Sequence, residues 1–451
     1  MSYKPDPNKN VNLTVNGIPV TVPEGTRILE AAKKVNVSIP VLCDHPELCK
    51  RALCRICMVE YDSRGKPVTA CGNDVWEGVN IVTNSERLFQ IRKTILEMIL
   101  AVHPQDCLTC VRNTNCELQK LAAEYDISSA SFENEAKKNP KIIENDTIVR
   151  DMDKCVKCNR CVEVCQEIQT IRAINTSHRS HEYEICTAYK QTLSDTPCVF
   201  CGGCAAICPV GAICGHDQTD EIRSVFDDSS IKKIAQVTPA LVSALQREFP
   251  AVTMGKIISA IRMLGFDKVY DAMAAINAIG SELGEEVQAR KKSGKKLPII
   301  CGCTEGASRF IKHSYPELAD NLSVGKSFKQ QFASLTGEKQ AVYISFVLCI
   351  AQKYKASSAN AGDKMNFALS TKEFVRMIKL AGIMIETLPE GQFDSVNVPK
   401  GSAHPVRAFK KETVHGYAQA RKVMETILAG KCDADVVEIM SCPAGKGCST
   451  P

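Results

Sequence analysis

The sequence predicts an α+β multidomain chain, and three observations predict it. Its 451 residues are enough for roughly three domains at ordinary domain sizes. Its 24 cysteines crowd into two stretches of the first half, residues 43–116 and 155–214, beside short strand and helix signals. After about residue 230 cysteine becomes sparse, and helical patterns alternate with strand-like runs.

Composition narrows the class. With 44 % hydrophobic and 24 % charged residues the chain reads as an ordinary globular protein. No apolar run approaches the ~20 residues needed to span a bilayer, so no membrane span is expected. The opening MSYKPDPNKN has no apolar core of the kind a secretory leader needs. A formal charge of +5, with scattered Lys and Arg, gives no argument for nucleic acid. These features point to the cytoplasm. Disulfides are rare there, and dense cysteines are more often metal ligands.

The elements follow in order. Residues 11–22, VNLTVNGIPVTV, place two alternating apolar runs around Asn16-Gly17, a strong hairpin signal. Pro23-Glu24-Gly25-Thr26 leads into RILEAAKKV, a short helical pattern with Ile28, Leu29 and Ala32 on one face. Residues 86–102 form an amphipathic helix that ends at His103-Pro104, and the polar stretch Ser128–Asn145 reads as a linker. Further on, helices are expected at Gly255–Leu264 and Ala272–Arg290, and strands at Lys268–Tyr270, Leu297–Ile300 and Ala341–Leu348. Cys301, Cys303 and Cys349 fall at the ends of these strands, where open α/β sheets place their sites.

The second cysteine-rich stretch contains an internal repeat, CVKCNRCVEVC at 155–165 and CVFCGGCAAIC at 198–208. Both match the bacterial ferredoxin run, in which three thiolates wrap one [4Fe–4S] cubane and the fourth reaches the neighbouring cubane. One cubane is therefore expected on Cys155, Cys158, Cys161 and Cys208. The other is expected on Cys198, Cys201, Cys204 and Cys165. Soft thiolates suit iron; zinc or redox dithiols are the alternatives.

Cys43, Cys54, Cys57 and Cys71 resemble the four-cysteine pattern of [2Fe–2S] domains, and the preceding hairpin and helix fit a β-grasp ferredoxin. Cys49 lies within the first loop as a bystander. His103, Cys107, Cys110 and Cys116 offer one imidazole and three thiolates to a third [4Fe–4S] cluster. That set carries less negative charge than four thiolates, which changes the potential. Structural zinc is again the alternative. Nine cysteines remain: Cys49, Cys186, Cys214, Cys301, Cys303, Cys349, Cys432, Cys442 and Cys448. Their default role is that of small buried residues.

The succession of these motifs, followed by an α/β region, resembles the large [FeFe]-hydrogenases over essentially the whole chain, in particular the alpha-type subunits of electron-bifurcating hydrogenase complexes. TPALVSAL (238–245), MLGFDKVYD (263–271), KEFVRMIKLAGI (372–383), VHGYAQARKV (414–423) and VVEIMSCPAG (436–445) carry the C-terminal part. The first 130 residues are also similar to the iron–sulfur subunit of respiratory complex I. The resemblance implies a [2Fe–2S] ferredoxin domain at 1–88, a His-ligated cluster domain at 89–128, a two-cubane ferredoxin domain at 140–225 and a hydrogenase-like α/β domain at 230–451.

In the family, three motifs of the last domain hold the hydrogen-activating cluster, a cubane joined through one cysteine to a two-iron subsite. Here they are damaged. T-S-C-C-P-x-W falls on Cys301–Ala307, where Cys303 takes the proton-relay position and Thr304 replaces a cubane ligand. M-P-C-x-x-K-x-x-E falls on Val347–Lys355. There Cys349 matches, Gln352 replaces the cyanide-binding lysine and Lys355 the proton-path glutamate. In the third motif Cys442 matches, but Lys446 stands at the bridging cysteine. Ala278-Ile279 replaces part of an acidic pair, Glu282 remains, and the family's Gly-rich stretch between about 385 and 414 is absent.

The subsite thus has no tether and its protons no route, so the domain is expected not to activate hydrogen and no residue is assigned as catalytic. Cys303 (or Cys301), Cys349, Cys442 and Cys448 leave room for one further cluster.

The resemblance implies an electron-transfer subunit that connects a flavin- and NAD(P)-binding subunit, and a small [2Fe–2S] subunit, to a separate catalytic module. Ferredoxin is a further expected partner. A [NiFe]-hydrogenase is the first expectation for that module and a formate dehydrogenase the second. An active variant hydrogenase and a redox-sensing scaffold are the competing readings.

Overall fold

The computed structural model describes residues 6, 8–61, 65–129, 131–132, 141–145, 147–325, 328–338, 341–354, 365–395 and 409–442. Strands β1 (Asn10–Val15) and β2 (Ile18–Pro23) form the expected hairpin. Asn16 and Gly17 both have positive φ, 51° and 80°, the geometry that a two-residue turn between twisted strands requires. Helix α1 (Ile28–Lys34) follows and buries Ile28, Leu29, Ala31 and Ala32. With β3 (Met58–Tyr61), β4 (Pro67–Thr69) and β5 (Asn80–Val82) the hairpin makes a five-stranded sheet of order β2-β1-β5-β3-β4. Only the β1–β5 pairing is parallel. The α1 face packs with Val11, Leu13, Val15, Val59 and Ile81 into one core.

Helix α2 (Glu86–Ala101) starts at Ser85, whose hydroxyl accepts from the Leu88 amide at 3.2 Å. Its buried Arg92 donates to the Met58 and Thr83 carbonyls at 2.5 and 2.9 Å, which ties the helix to the sheet. Helix α3 (Glu117–Glu124) comes next. The expected linker ends sooner than its polarity suggests, because β6 (Ile142–Ile143) pairs with β7 (Ile148–Arg150). Glu144 between them is buried against Arg150, and also accepts from the Leu193 amide at 2.7 Å. The charge of Glu144 is thus paired inside the fold and not left to solvent.

The repeat region holds α4 (Arg160–Glu163), which runs into a π-helical turn at Val164–Ile168, then a small hairpin of β8 (Asn175–Ser177) and β9 (Glu184–Cys186). Helix α5 (Gly203–Ile207) and β10 (Ile213–Gly215) close it, with β10 completing the sheet β10-β7-β6. Arg160 is buried between its neighbours. It donates to Glu117 at 2.6 and 2.7 Å and to the Asp44 carbonyl at 2.9 Å, which joins three stretches of the first half.

After α6 (Thr219–Phe226) come β11 (Lys232–Val237), α7 (Ala240–Leu245), α8 (Met254–Met263), β12 (Lys268–Asp271) and the long α9 (Met273–Ser293). Then follow β13 (Ile299–Gly302), α10 (Gly306–Ser314), α11 (Phe328–Thr336), β14 (Ala341–Val347), β15 (Met365–Ser370) and α12 (Thr371–Leu380). The described chain ends with β16 (Lys411–His415), α13 (Tyr417–Leu428) and β17 (Val436–Met440). All pairings here are parallel, but the strands divide into two sheets, β12-β11-β14-β15 and β13-β17-β16. Among the described residues no helix is long and apolar enough to cross a membrane.

Candidate metal centres

The first centre is assembled by the β3–β4 hairpin. Met58 pairs with Thr69, so Cys57, just before β3, faces the stretch just after β4 and its Sγ lies 3.3 Å from that of Cys71. The Cys54 amide donates to Cys43 Sγ at 3.5 Å, and Ala52 and Arg55 turn the loop with positive φ of 52° and 62°. The Cys43 thiol is pulled down to about 2 by hydrogen bonds from Cys54 and then Cys71, while Cys54 and Cys71 are pushed up, first by the bond to Cys43. Cys57 is lowered, chiefly by Cys71. Two of the four crowded thiols, Cys43 and Cys57, are thus favoured as thiolates by the two that keep their protons. The expected bystander Cys49 is exposed.

The second centre hangs on the end of α2. The His103 amide bonds the Leu100 carbonyl at 3.1 Å, and Cys116 caps α3 by accepting from the Gln119 amide at 3.5 Å. Burial raises the Cys116 thiol, and Cys110 and Cys107 are near enough to raise it further. Burial first of all lowers the His103 imidazole below its ordinary value, which favours the neutral form. Its buried Nδ1 has no hydrogen-bond partner among the described residues, which suits a nitrogen held ready for a metal. Cys107 is exposed, so this centre sits at the protein surface.

The sequence repeat is also a backbone repeat. Lys157 and Phe200, each two residues after the first cysteine of a run, have φ of 54° and 52°. Asn159 and Gly202, four residues after it, have φ of 64° and 77°. These left-handed turns curl each run around its thiols. The Lys157 and Phe200 amides then donate to Cys155 and Cys198 Sγ, each at 3.4 Å. Cys155, Cys158, Cys161 and Cys208 line one small enclosed cavity together with Pro209, Val210 and Ile213. Cys165, Cys198, Cys201 and Cys204 lie close enough for their charges to repel one another. Burial pushes Cys155 up to about 11 and Cys158 and Cys201 up to about 12. Thiolates in such a pocket need metal charge to offset the lost hydration. Among the described residues no three His, Cys, Asp or Glu side chains close on one point as a single ion requires.

Several residues that the spacing of cysteines does not reveal join these centres. A Cβ at Gly211 would lie 3.1 Å from Cys110 Sγ, so the chain after Cys208 presses on the second centre. The Glu117 amide bonds the Pro209 carbonyl at 3.0 Å, and buried Arg112 donates to the Cys208 carbonyl at 2.9 Å. Arg309 of α10 donates to the Cys198, Thr196 and Ser194 carbonyls at 2.8–3.0 Å and stacks over Phe200. Long-range partners of this kind leave no local signal.

The C-terminal loops pack on the second cubane run. Cys303 Sγ accepts from the Ser441 amide at 3.4 Å, and Cys442 lies close to both Cys303 and Cys201. Thr304 is bonded to the Ser441 hydroxyl at 2.8 Å, and Tyr417 to the same hydroxyl at 3.1 Å. A hydroxyl network thus stands where the resemblance expects a thiolate. Cys349 is buried, and the Gln352 amide donates to its carbonyl at 3.0 Å. Ile350 then fills the space over Gly202 and Gly215. Lys353 is sealed against Glu373 at 2.6 Å and donates to the His216 carbonyl at 2.7 Å. Cys448, Lys355 and Lys446 lie outside the described residues.

Comparison with known proteins gives the families to which these regions are similar. The family model "iron only hydrogenase large subunit, C-terminal domain" matches residues 231–408 and 402–449. Residues 8–86 match a 2Fe-2S iron-sulfur cluster binding domain, 92–130 the NADH-ubiquinone oxidoreductase-G iron-sulfur binding region, and 145–214 the ferredoxin-like domain of NADH-quinone oxidoreductase subunit 3. The NADP-reducing hydrogenase subunit HndD of Solidesulfovibrio fructosivorans is 32 % identical over 88 % of this chain and 73 % of its own length. Iron hydrogenase 1 of Clostridium pasteurianum is 27 % identical over 85 % and 70 %. The NADPH-Fe(3+) oxidoreductase subunit alpha of Geobacter sulfurreducens is 36 % identical over 45 % of this chain and 24 % of its own.

Proposed function

The chain belongs to the iron-only hydrogenase large-subunit family, and from that premise we propose that it carries electrons through bound iron–sulfur clusters without activating hydrogen itself. The ligands are those expected from sequence: Cys43, Cys54, Cys57 and Cys71 for a [2Fe–2S] cluster, and His103, Cys107, Cys110 and Cys116 for a [4Fe–4S] cluster. Two further cubanes take Cys155, Cys158, Cys161 and Cys208, and Cys198, Cys201, Cys204 and Cys165. The protein places the clusters and tunes them, and the clusters carry the charge.

The observation that supports this most is continuity. Arg160 ties the loop of Asp44 to α3 and to the first run, Gly211 lies against Cys110, and Arg309 holds the start of the second run. Thr304, its hydroxyl bonded to that of Ser441, stands where the family's cubane takes a thiolate, which supports loss of the hydrogen site. A further cluster on Cys303, Cys349, Cys442 and Cys448 belongs to this reading as its open end.

In the cell the chain connects a flavin- and NAD(P)-binding subunit and a small [2Fe–2S] subunit to a catalytic partner. A [NiFe]-hydrogenase is preferred over a formate dehydrogenase, and ferredoxin is the second electron carrier of a bifurcating cycle. Anaerobic purification of the native complex tests this, with subunit identification, iron, nickel and sulfide analysis and electron paramagnetic resonance. The expected result is co-purification with those subunits and about 14 irons, one two-iron and three four-iron clusters, in this chain. Infrared bands of iron-bound carbon monoxide and cyanide in the chain alone, together with hydrogen evolution, would overturn the proposal.

A further inference from the structure

Between the repeat region and α12 the structure opens a cleft of about 940 Å³, within the size range of small-molecule sites and at a junction between regions where such sites concentrate. None of the expected cluster ligands lines it. Its apolar lining includes Ala205, Ala206, Ala240, Ala244, Leu348 and Ile350.

Its walls are cationic. Arg112, Arg247, Lys372, Arg376 and Lys379 all line it. Arg376 is answered by Asp217 at 2.8 Å and Lys379 by Glu248, while the cleft's other carboxylate, Glu373, is taken by Lys353. Arg112 and Lys372 spend their hydrogen bonds on backbone carbonyls, those of Ala205, Cys208 and Val111. Among the described residues neither they nor Arg247 has a carboxylate within ion-pair reach. Three cationic side chains therefore line the same space without an ion-pair partner of their own, Asp217 acting on Lys372 only at longer range. Lys372, exposed at the cleft, holds its proton less tightly than an ordinary lysine because its ammonium is partly desolvated and because Arg112 and then Arg376 crowd it. The buried Nδ1 of His216, also on the wall, has no hydrogen-bond partner among the described residues.

We propose that this cleft binds an organic phosphate of nucleotide size, its apolar ring on the alanine-rich lining and its phosphates among Arg112, Arg247 and Lys372. A single carboxylate would leave two of the three cations unanswered, whereas a diphosphate ester carries about three negative charges. Guanidinium groups match phosphate oxygens in pairs, which a bare ammonium does not.

The test is calorimetric titration of the anaerobic full-length chain with ADP and, separately, with pyrophosphate, at low and at physiological salt. ADP is expected to saturate one site, to bind at least tenfold more tightly than pyrophosphate, and to weaken at least tenfold in Lys372→Ala and in Arg247→Ala. Both side chains can be removed without opening the core, and unchanged resonance spectra of the clusters would show that the variants are folded. Lys422→Ala, on a different face, is expected to bind as the parent does. Absence of saturable ADP binding overturns the proposal, as does equal affinity for pyrophosphate or indifference to both variants. Binding of an oligoglutamate peptide in place of ADP would overturn it too, and would mark the cleft as a seat for an acidic partner segment.

Discussion

Replacing Gly202 by alanine should loosen the second cubane run, and the size of the effect can be worked from its surroundings. The counterpart in the first run is Asn159, which adopts φ 64°, so the turn does not by itself demand glycine. An alanine at φ 77° meets a backbone penalty of about 1–2 kcal/mol. Its Cβ would also lie 2.5 and 2.7 Å from Cγ1 and Cδ1 of Ile350, and overpacking of that kind adds about 1–3 kcal/mol. The sum is about 2–5 kcal/mol. The assay is the midpoint of thermal bleaching of the iron–sulfur absorbance under argon. Ile350→Ala alone should also destabilise, by about 2–5 kcal/mol, because it opens a cavity. Combined, the two changes should fall short of additivity by about 1–3 kcal/mol, since the new methyl group then has room. Strict additivity, or a Gly202→Ala midpoint equal to that of the parent, would refute the claim that Ile350 is seated on this turn.

Other expectations are simpler to check. His103→Cys should keep its cluster but lower its potential, because a thiolate adds negative charge where an imidazole had none; a redox titration followed by paramagnetic resonance reads the direction. Cys54→Ser should abolish the [2Fe–2S] signal while Cys49→Ser, at an exposed position, leaves it intact. Lys353→Met should cost about 3–5 kcal/mol in chemical unfolding because it strands the buried Glu373 carboxylate, and adding Glu373→Leu should recover most of that loss. Arg309→Ala should speed loss of iron from the second run to a chelator, since three backbone carbonyls lose their shared donor.

What could be read from sequence was local. Asn16-Gly17 specified its turn, Pro104 marked where α2 had to stop, and the paired cysteine runs were visible as an internal repeat. The same run hid its other half. Lys157 and Phe200 carry no preference that announces a positive φ, whereas Asn159 and Gly202 are residue types that adopt it readily. The split of the C-terminal strands into two sheets was not legible either, because parallel neighbours are joined by long crossovers and their order is fixed by packing. Strand β16 illustrates the difficulty: KETVH exposes three of its five residues and shows no apolar run. Strands β11, β15 and β17 were likewise unread. At the metal centres the ligand candidates were evident from spacing, while Arg112, Arg160, Arg309 and Gly211 were not, since each acts on a residue far away in the chain.

The grip of Arg309 on Cys198 spans 111 residues, and that of Gln169 on Ser441 spans 272. During synthesis the second cysteine run therefore leaves the ribosome well before the groups that fix its shape exist. On the proposed reading, iron bound there would arrive late, or enter a loop that is still open and be locked in place afterwards. A chain truncated before α10 would then be a poor substitute for the whole, even though every cysteine of both runs would be present.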